Sequence, residues 1–247
     1  MITAQRRLDA ETRAKLATIS TATVATILHA RGLCNQFIQG VFRLTEHRRP
    51  MVGQAFTLRH IPAREDIDRR EIFRDPQHPQ RVAVETVGPG DVLVMDCRRD
   101  ASSASLGGIL ASRLQSRGCE GFVSDAGIRD SDYAAGLDLP IYVAARSAPT
   151  NLTRHHGVDM NVPIGCGGVA VYPGDVILGD GDGVMVIPIE YLDEILPEAL
   201  RMEHYEPFAQ ERILAGARVT DFYPAKAEAL ALYAVYKEQN PMPFGDA

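Results

Sequence analysis

The dipeptide Arg129-Asp130 pairs a cation with a carboxylate directly after a short apolar run. A guanidinium can bind a carboxylate through two parallel hydrogen bonds, and an aspartate can coordinate a hard divalent cation. A surface ion pair is the alternative interpretation of such a dipeptide. Its position after a predicted buried strand and turn favours a functional role, because ligand sites of parallel α/β sheets lie beyond the carboxyl ends of the strands.

Gly107 and Gly108 mark a second group of atoms that could bind a ligand. Three serines precede them, at positions 102, 103 and 105. At least one of these serines is expected to cap a helix that begins near Leu106. The unsubstituted amides at such a helix N-terminus, together with the positive end of the helix dipole, suit a carboxylate. We therefore expect one cleft to contain these amides together with Arg129 and Asp130.

Three other motifs are better explained by folding than by chemistry. The segment 180–182, Asp-Gly-Asp, could offer oxygen ligands to calcium, but an apolar strand follows where further ligands are needed, so a hairpin turn is favoured. The glycine-rich segment 165–168 lacks the Lys-Ser/Thr pair of a phosphate-binding loop. His155 and His156 are adjacent, so their side chains should point in different directions.

Short strands that alternate with helices must position the candidate site. Strands are predicted at residues 53–59, 91–96, 121–125 and 140–144. Residues 126–128 are expected to form the turn that leads to Arg129. Strand-helix-strand succession predicts parallel pairing with crossover helices, which gives the chain an α/β core.

The flanking regions have a different character. Residues 62–80 are polar and interrupted by prolines, which predicts either a surface excursion or a mobile flap over a site. Residues 175–188 are predicted to form a hairpin. Helices are expected at about residues 190–203 and 225–237, with prolines at 207 and 224 as boundaries. No long linker separates these regions, so one domain is expected.

The bulk composition narrows the range of functions. The chain has 247 residues, 45% hydrophobic and 23% charged, which is typical of a globular protein. Its net charge of -6 argues against nucleic acid as a partner, because phosphate contacts require a basic surface. The N-terminal segment has no apolar core of the signal-peptide type, and no apolar run is long enough to span a membrane. A cytoplasmic protein without a membrane partner is expected.

The chain resembles the RraA-like family, which includes 4-hydroxy-4-methyl-2-oxoglutarate/4-carboxy-4-hydroxy-2-oxoadipate aldolases. The motifs that carry the resemblance lie at residues 107–110, 121–130, 161–163 and 179–184. The segment 61–66 and the long C-terminal tail resemble the longer members, which are labelled ribonuclease activity regulators. The resemblance implies a single domain over residues 1–247, with a core of the swivelling β/β/α type at about 20–188 and a helical extension at about 190–240. It also implies homotrimers or homohexamers with sites near subunit interfaces.

The same resemblance implies roles for individual residues. Asp130 would bind Mg²⁺ or Mn²⁺, and Arg129 would hold the pyruvyl part of a small 2-oxo acid together with backbone amides. Matched by position, those amides belong to Gly107, Gly108, Ile109 and Leu110.

One position departs from the aldolase pattern. The pattern has an Asp separated by twenty residues from the Arg-Asp pair, and here the corresponding position is Gly108. A related form with glycine there has an acid three residues after the Asp, where this chain has Tyr133. The proton shuttle is therefore expected to be a metal-bound water that is helped by Asp125, Asp132 or a carboxylate of a neighbouring subunit.

The resulting hypothesis is a divalent-metal-dependent, class II pyruvate aldolase. It would cleave a 4-hydroxy-2-oxo acid to pyruvate and a carbonyl product, with oxaloacetate decarboxylation as a side activity. The alternative is a non-catalytic RraA-like regulator that binds and inhibits a ribonuclease. A methyltransferase role is disfavoured because no glycine-rich cofactor loop follows the first predicted strand.

Overall fold

The computed structural model describes residues 6–46 and 49–245. Its α-helices are α1 (Ala10–Leu16), α2 (Thr21–Ala30), α3 (Pro79–Thr86), α4 (Gly108–Ser116), α5 (Ser131–Ala135), α6 (Leu192–Leu214), α7 (Val219–Phe222) and α8 (Ala227–Gln239). Its strands are β1 (Phe42–Arg43), β2 (Met51–Pro62), β3 (Asp91–Asp96), β4 (Ala104–Leu106), β5 (Gly121–Ile128), β6 (Ile141–Arg146), β7 (His155–Met160), β8 (Ile164–Cys166), β9 (Val169–Val171), β10 (Val176–Gly179) and β11 (Val184–Ile187). Short 3₁₀ helices lie at Arg70–Arg74, Asn151–Thr153 and Ile189–Tyr191.

Four parallel strands form the centre of the main sheet, whose order is β1-β6-β5-β3-β2-β10-β11. The parallel neighbours are β2 with β3, β3 with β5, and β5 with β6. The sheet curls because the long strand β2 pairs with β10 through residues 51–54 and with β7 through residues 58–62. The predicted α/β class, with a strand-helix-strand core and C-terminal helices, is confirmed. The hairpin of β10 and β11 is also confirmed.

Alternate residues of the central strands enter two different apolar clusters, as the period of a strand requires. Leu93 and Phe122 pack with Leu114 of α4, whereas Val92 and Val123 belong to a cluster on the other face. Both faces of β3 and β5 are therefore covered. This explains why these strands read as continuous apolar runs in the sequence.

The prediction that a serine caps the helix was wrong. Ser103 and Ser105 are buried beside or within β4, and α4 begins at Gly108 with Gly107 as an N-cap that has no side-chain hydrogen bond. The predicted turn at residues 126–128 was also wrong, because these residues continue β5. The physical reason is the same in both cases. β4 pairs in parallel with the end of β5, and this pairing keeps both segments extended.

The predicted boundary at Pro207 was wrong as well, because α6 continues through this proline to Leu214. A proline inside a helix removes one backbone hydrogen bond and strains the preceding turn. Phe208, next to it, is fully buried against Phe222 and Ala229 of the following helices. This packing offsets the cost of the proline and extends the C-terminal helical region. Over the described ranges, no helix combines the length and the apolar character needed to cross a bilayer.

Candidate functional site

Arg129 and Asp130 form the corner between β5 and α5. The amide of Arg129 donates to the carbonyl of Leu106 at 3.1 Å, which ties the corner to the end of β4. Asp130 has a φ of 54° and occupies the left-handed region, where Asp and Asn are among the few side chains that are tolerated. The predicted position of the pair after a buried strand is confirmed, although the strand is longer than expected.

Gly107, the N-cap of α4, and Gly108, its first residue, lie close against this corner. The amide of Gly108 donates to Oδ2 of Asp130 at 3.1 Å. A Cβ atom on Gly107 would lie 2.7 Å from Cγ of Arg129 and 3.0 Å from Oδ2 of Asp130. Glycine is therefore required at position 107 by the close approach of the Arg-Asp corner.

The first turn of α4 presents amides that have no acceptor within the helix. The first backbone bond of this helix runs from the amide of Ala111 to the carbonyl of Gly107 at 3.0 Å. The amides of Ile109 and Leu110 are consequently among the unpaired donors that begin every helix, and the helix dipole adds partial positive charge there. Ile109 is 84% exposed, and both Ile109 and Leu110 line the cavity beside the Arg-Asp corner.

A cavity of about 300 Å³ lies beside these groups. Of the residues predicted to bind ligand, it is lined by Gly107, Ile109, Leu110, Arg129 and Asp130. Gly108 contributes through its bond to Asp130 but does not line the cavity. The cavity is concave, polar in part and already formed, as small-molecule sites usually are.

Sequence reasoning missed the rest of the lining. Besides Ser105, the additional polar or aromatic lining residues are Phe73, Gln80, Arg81, Thr150 and Asn151. The first two belong to the proline-rich segment 62–80, which therefore helps to shape the cavity. Nothing in the local sequence marks these residues, because long-range pairing of β7 with β2 and the packing of α3 against β7 bring them to the site.

The charges at the corner remain available to a ligand. Nε of Arg129 lies 3.6 Å from Oδ2 of Asp130, and both side chains are about half exposed, at 46% and 49%. An ion pair of this exposure contributes little to stability. Within the described part of the chain, Oδ1 of Asp130 accepts no hydrogen bond. A carboxylate oxygen and a guanidinium are thus both open to the cavity.

Asp125 was predicted to assist proton transfer, and its placement disagrees with that role. It is buried, it does not line the cavity, and its two oxygens accept bonds from the amides of Cys97, Arg99 and Gly167. Burial raises the pKa of Asp125, while the backbone bonds from Cys97 and Gly167 oppose this shift. The carboxylate holds three backbone segments together instead.

Asp132 is the other predicted proton-transfer residue. Its side chain is 97% exposed and pairs at 3.8 Å with Nη1 of Arg146. It lies two residues after Asp130 but outside the cavity lining. A role for Asp132 stays a prediction.

The residues present fit a metal ion of the predicted kind. Magnesium binds through one or two carboxylates and keeps several water ligands, so a single carboxylate with a free oxygen suits it. Asp130 supplies such an oxygen at the edge of the cavity. Across residues 6–46 and 49–245, no three His, Cys, Asp or Glu side chains are placed to hold one metal ion. Water and substrate would therefore have to provide the other ligands.

Comparison with known proteins places this geometry in a family. The family model described as "RraA-like: Aldolase/RraA" matches residues 18–186. A protein of Halalkalibacterium halodurans named "Putative 4-hydroxy-4-methyl-2-oxoglutarate aldolase" is 36% identical over 134 residues, which are 54% of this chain and 62% of that relative. A protein of the same name from Azotobacter vinelandii is 37% identical over 105 residues, which are 42% of this chain and 64% of that relative. The matches thus span less than two thirds of these relatives.

Solved structures agree with the family model. The crystal structure of Streptomyces coelicolor RraAS2, described as an unusual member of the RNase ES inhibitor RraA protein family, has a TM-score of 0.73 and 30% identity. The similarity covers 83% of this chain and 98% of RraAS2. Since the family model also covers more than half of the sequence, including β5 and the Arg129-Asp130 corner, this chain belongs to the RraA-like family.

Proposed function

We propose that this protein is a divalent-metal-dependent lyase that releases pyruvate from a 4-hydroxy-2-oxo acid. The observation that carries the proposal is the meeting of Arg129, Asp130 and the free amides of α4 around one cavity. The aldolase names of the Halalkalibacterium and Azotobacter relatives support the same reaction class. Oxaloacetate decarboxylation is proposed as a second activity because it passes through the same pyruvate enolate.

Substrate binding follows from the positions of the donors. Arg129 would bind the 1-carboxylate through its planar fork, and the amides of Ile109 and Leu110 would donate to the same end of the molecule. Asp130 would hold Mg²⁺ or Mn²⁺, which when bound supplies Lewis-acid stabilisation of negative charge at the 2-oxo oxygen. The amide of Gly108 fixes the orientation of the Asp130 carboxylate through its bond to Oδ2.

Cleavage breaks the bond between C3 and C4 while the 4-hydroxyl group loses its proton. The electron pair of that bond passes to the pyruvyl fragment, which is then protonated at C3. Arg129 would stabilise the negative charge that develops on this fragment. Removing one donor of this kind lowers the rate by a factor of about 10²–10³. Asp132 or a carboxylate of a neighbouring copy is proposed to accept the hydroxyl proton.

A homotrimer or homohexamer is part of the proposal. Ile109 at the cavity is 84% exposed, and Tyr133 on α5 is 60% exposed. Large apolar side chains with this exposure beside a site would be covered if a second copy packed there. A cytoplasmic location is also part of the proposal.

The alternative function is inhibition of a ribonuclease without catalysis. The description of Streptomyces coelicolor RraAS2 as a member of an RNase inhibitor family favours this reading. A binding module has no need of a cavity that exposes a carboxylate oxygen beside a guanidinium. An inhibition assay with a purified ribonuclease, run beside the pyruvate assay below, separates the two functions.

The deciding experiment measures pyruvate release from oxaloacetate and from 4-hydroxy-4-methyl-2-oxoglutarate, with Mg²⁺ or Mn²⁺ and with a chelator. Turnover is expected with metal and should be lost with the chelator and in Asp130→Ala. Asp138→Ala is the matched control, because Asp138 is 79% exposed and pairs only loosely with Arg49 at 3.7 Å. Undiminished turnover in Asp130→Ala would remove Asp130 from the site.

A further inference from the structure

Residues 64–77 form an excursion between β2 and α3 that has little packing of its own. Its backbone hydrogen bonds join residues only three or four positions apart. Asp68 is the one buried residue within it, whereas Ile72 and Phe73 are half-buried and the others are exposed. A segment with so few buried side chains and only local hydrogen bonds opens at a low cost in free energy.

One side-chain hydrogen bond ties this excursion to the main sheet. Nδ1 of His156 on β7 lies 2.6 Å from Oδ1 of Asp68, whose side chain is fully buried. Oδ2 of the same carboxylate accepts from the amide of Arg64 at 2.7 Å, so both oxygens are engaged. Among the described residues, the only other hydrogen bond between residues 64–77 and the remainder of the chain comes from the amide of His78, at the entry to α3.

Phe73 extends the excursion to the cavity. Its ring lines the cavity, and the ring of His78 meets it edge-on with the centroids 6.3 Å apart. The guanidinium carbon of Arg81, which also lines the cavity, is 5.3 Å from the Phe73 centroid. A movement of residues 64–77 away from β7 would therefore withdraw part of the cavity wall and remove the ring that Arg81 rests on.

The closed position of the excursion has a cost at His78. This residue is 2% exposed, and neither of its ring nitrogens has a hydrogen-bond partner among the described residues. Unpaired buried polar atoms are unfavourable, and water would reach them if residues 64–77 moved away. The bond between Asp68 and His156 acts in the opposite direction. The closed arrangement is consequently held by a small margin, as a segment that opens and closes requires.

We propose that residues 64–77 are a lid that opens and closes over the cavity as one unit, with the bond between Asp68 and His156 as its clasp. The clasp holds the ring of Phe73 against the cavity. Opening admits a ligand, and closing shields it from water, as lids do in many enzymes. Such a lid serves any ligand that occupies the cavity, so it goes beyond the proposed lyase activity.

Trypsin measures the opening of the lid without any ligand. The lid contains four exposed arginines at which trypsin can cleave, Arg64, Arg69, Arg70 and Arg74. Cleavage of a folded protein follows the fraction of molecules in which the segment is open. His156→Ala should accelerate cleavage within the lid by about 10-fold to 100-fold, the range for loss of a hydrogen bond to a charged group. His156→Asn, whose amide can donate from the position of Nδ1, should recover part of this, and His29→Ala, on the exposed surface of α2, should match the wild-type rate.

A double-mutant cycle tests the clasp itself. Asp68→Ala should also accelerate cleavage, and the double variant with His156→Ala should be cleaved no faster than the faster single variant, because both changes remove the same bond. Hydrogen exchange in β5 reports global unfolding and should stay at the wild-type rate in every variant. Independent increases that multiply in the double variant, or an acceleration in β5 as large as that in the lid, would overturn the clasp.

Thiol labelling tests whether the lid controls access to the cavity. Ala104 lines the cavity and is 1% exposed, and Cys34 is the exposed cysteine among four, so Ala104→Cys is made together with Cys34→Ser. Addition of His156→Ala should accelerate reaction with a maleimide by about the factor found for trypsin. Unchanged labelling beside faster cleavage would show a loose surface segment that does not cover the cavity, and would overturn the lid. These measurements need no turnover, so failure of the proposed lyase activity would leave their outcome unaffected.

Discussion

The ring of Tyr133 fills the space beside Gly108. A Cβ atom on Gly108 would lie 2.9 Å from Cδ1 of Tyr133 and 3.2 Å from Cβ of Asp130. The hydroxyl of Tyr133 is 2.9 Å from Oγ of Ser112 on α4, which holds the ring in place. The aldolase pattern has an Asp at the position of Gly108, so this chain combines the loss of that Asp with an aromatic ring that would exclude it.

Restoring the aldolase residue alone should therefore damage the protein. Gly108→Asp is expected to lower the free energy of unfolding by about 1–3 kcal/mol through overpacking against Tyr133. Adding Tyr133→Ala should recover at least about 1 kcal/mol of that loss, because the two residues are in contact. Urea unfolding of the single and double variants measures this coupling, and pyruvate release in the double variant reports whether the Asp can act. Additive effects on stability would show that the ring moves away freely.

Arg129 should contribute more than its charge. Arg129→Ala is expected to lower kcat/KM for pyruvate release by about 10²–10³, as for removal of one donor to a developing oxyanion. Arg129→Lys should recover only part of this, because an ammonium cannot form the two parallel bonds of a guanidinium. Arg113→Ala serves as control, since Arg113 pairs with Glu85 outside the cavity. Full activity of Arg129→Lys in steady-state assays would argue against the two-bond contact.

The stability of the fold should decrease in acid through His60. Burial lowers the pKa of His60 from 6.5 to about 3, although its bond to the carbonyl of Asp96 opposes the shift. Below pH 6.5 the unfolded chain binds a proton at this residue that the folded chain does not bind. The contribution of His60 to the free energy of unfolding is therefore fully present above pH 6.5. It is lost as the pH decreases towards about 3, by an amount on the order of a few kcal/mol.

His60→Asn isolates this contribution, because the asparagine amide can still donate to the Asp96 carbonyl. Urea unfolding at several pH values between 7.5 and 4 should show a smaller loss of stability in this variant than in the wild-type protein. His29→Asn, on the exposed face of α2, is the surface control. An unchanged pH dependence in His60→Asn would assign the acid sensitivity to other groups. His78 and His155, whose pKa values burial also lowers, are the next candidates.

The C-terminal helices should depend on one aromatic side chain. Phe208 is fully buried in a small cluster with Phe222 and Ala229, separate from the clusters of the main sheet. Phe208→Ala is expected to lower the free energy of unfolding of the region formed by α6, α7 and α8 by about 3–5 kcal/mol. Hydrogen exchange should accelerate in these helices more than in β5. Leu214→Ala, at a side chain that is 89% exposed, should change stability by less than about 0.5 kcal/mol, and uniform acceleration in Phe208→Ala would contradict a separate cluster.

Local patterns predicted the parts of the site that depend on neighbours in sequence. The apolar run of β5 followed by Arg129-Asp130, and the glycines at the start of α4, could be recognised because turn and helix signals act within a few residues. The serines at 103 and 105 were misread for the opposite reason. Their strand exists only because it pairs with β5, and this pairing overrides a sequence that favours a helix cap.

The presence of Arg81 and Asn151 in the lining of the cavity could not be predicted from the sequence. Asn151 begins the 3₁₀ helix before β7, which joins the far half of β2, and Arg81 lies on the helix that packs against β7. Asp125 was misjudged in a related way. It was expected to assist proton transfer, but loops from two distant segments donate their amides to it.

The left-handed backbone at Asp130 restricts how this site can change. Only glycine, asparagine and aspartate adopt that conformation readily, and of these only aspartate carries a negative charge. A longer acid such as glutamate would keep the charge but strain the main chain, whereas asparagine would keep the main chain and lose the charge. Geometry and chemistry thus select the same residue, and a redesign that needs another anionic ligand must first reshape the corner between β5 and α5.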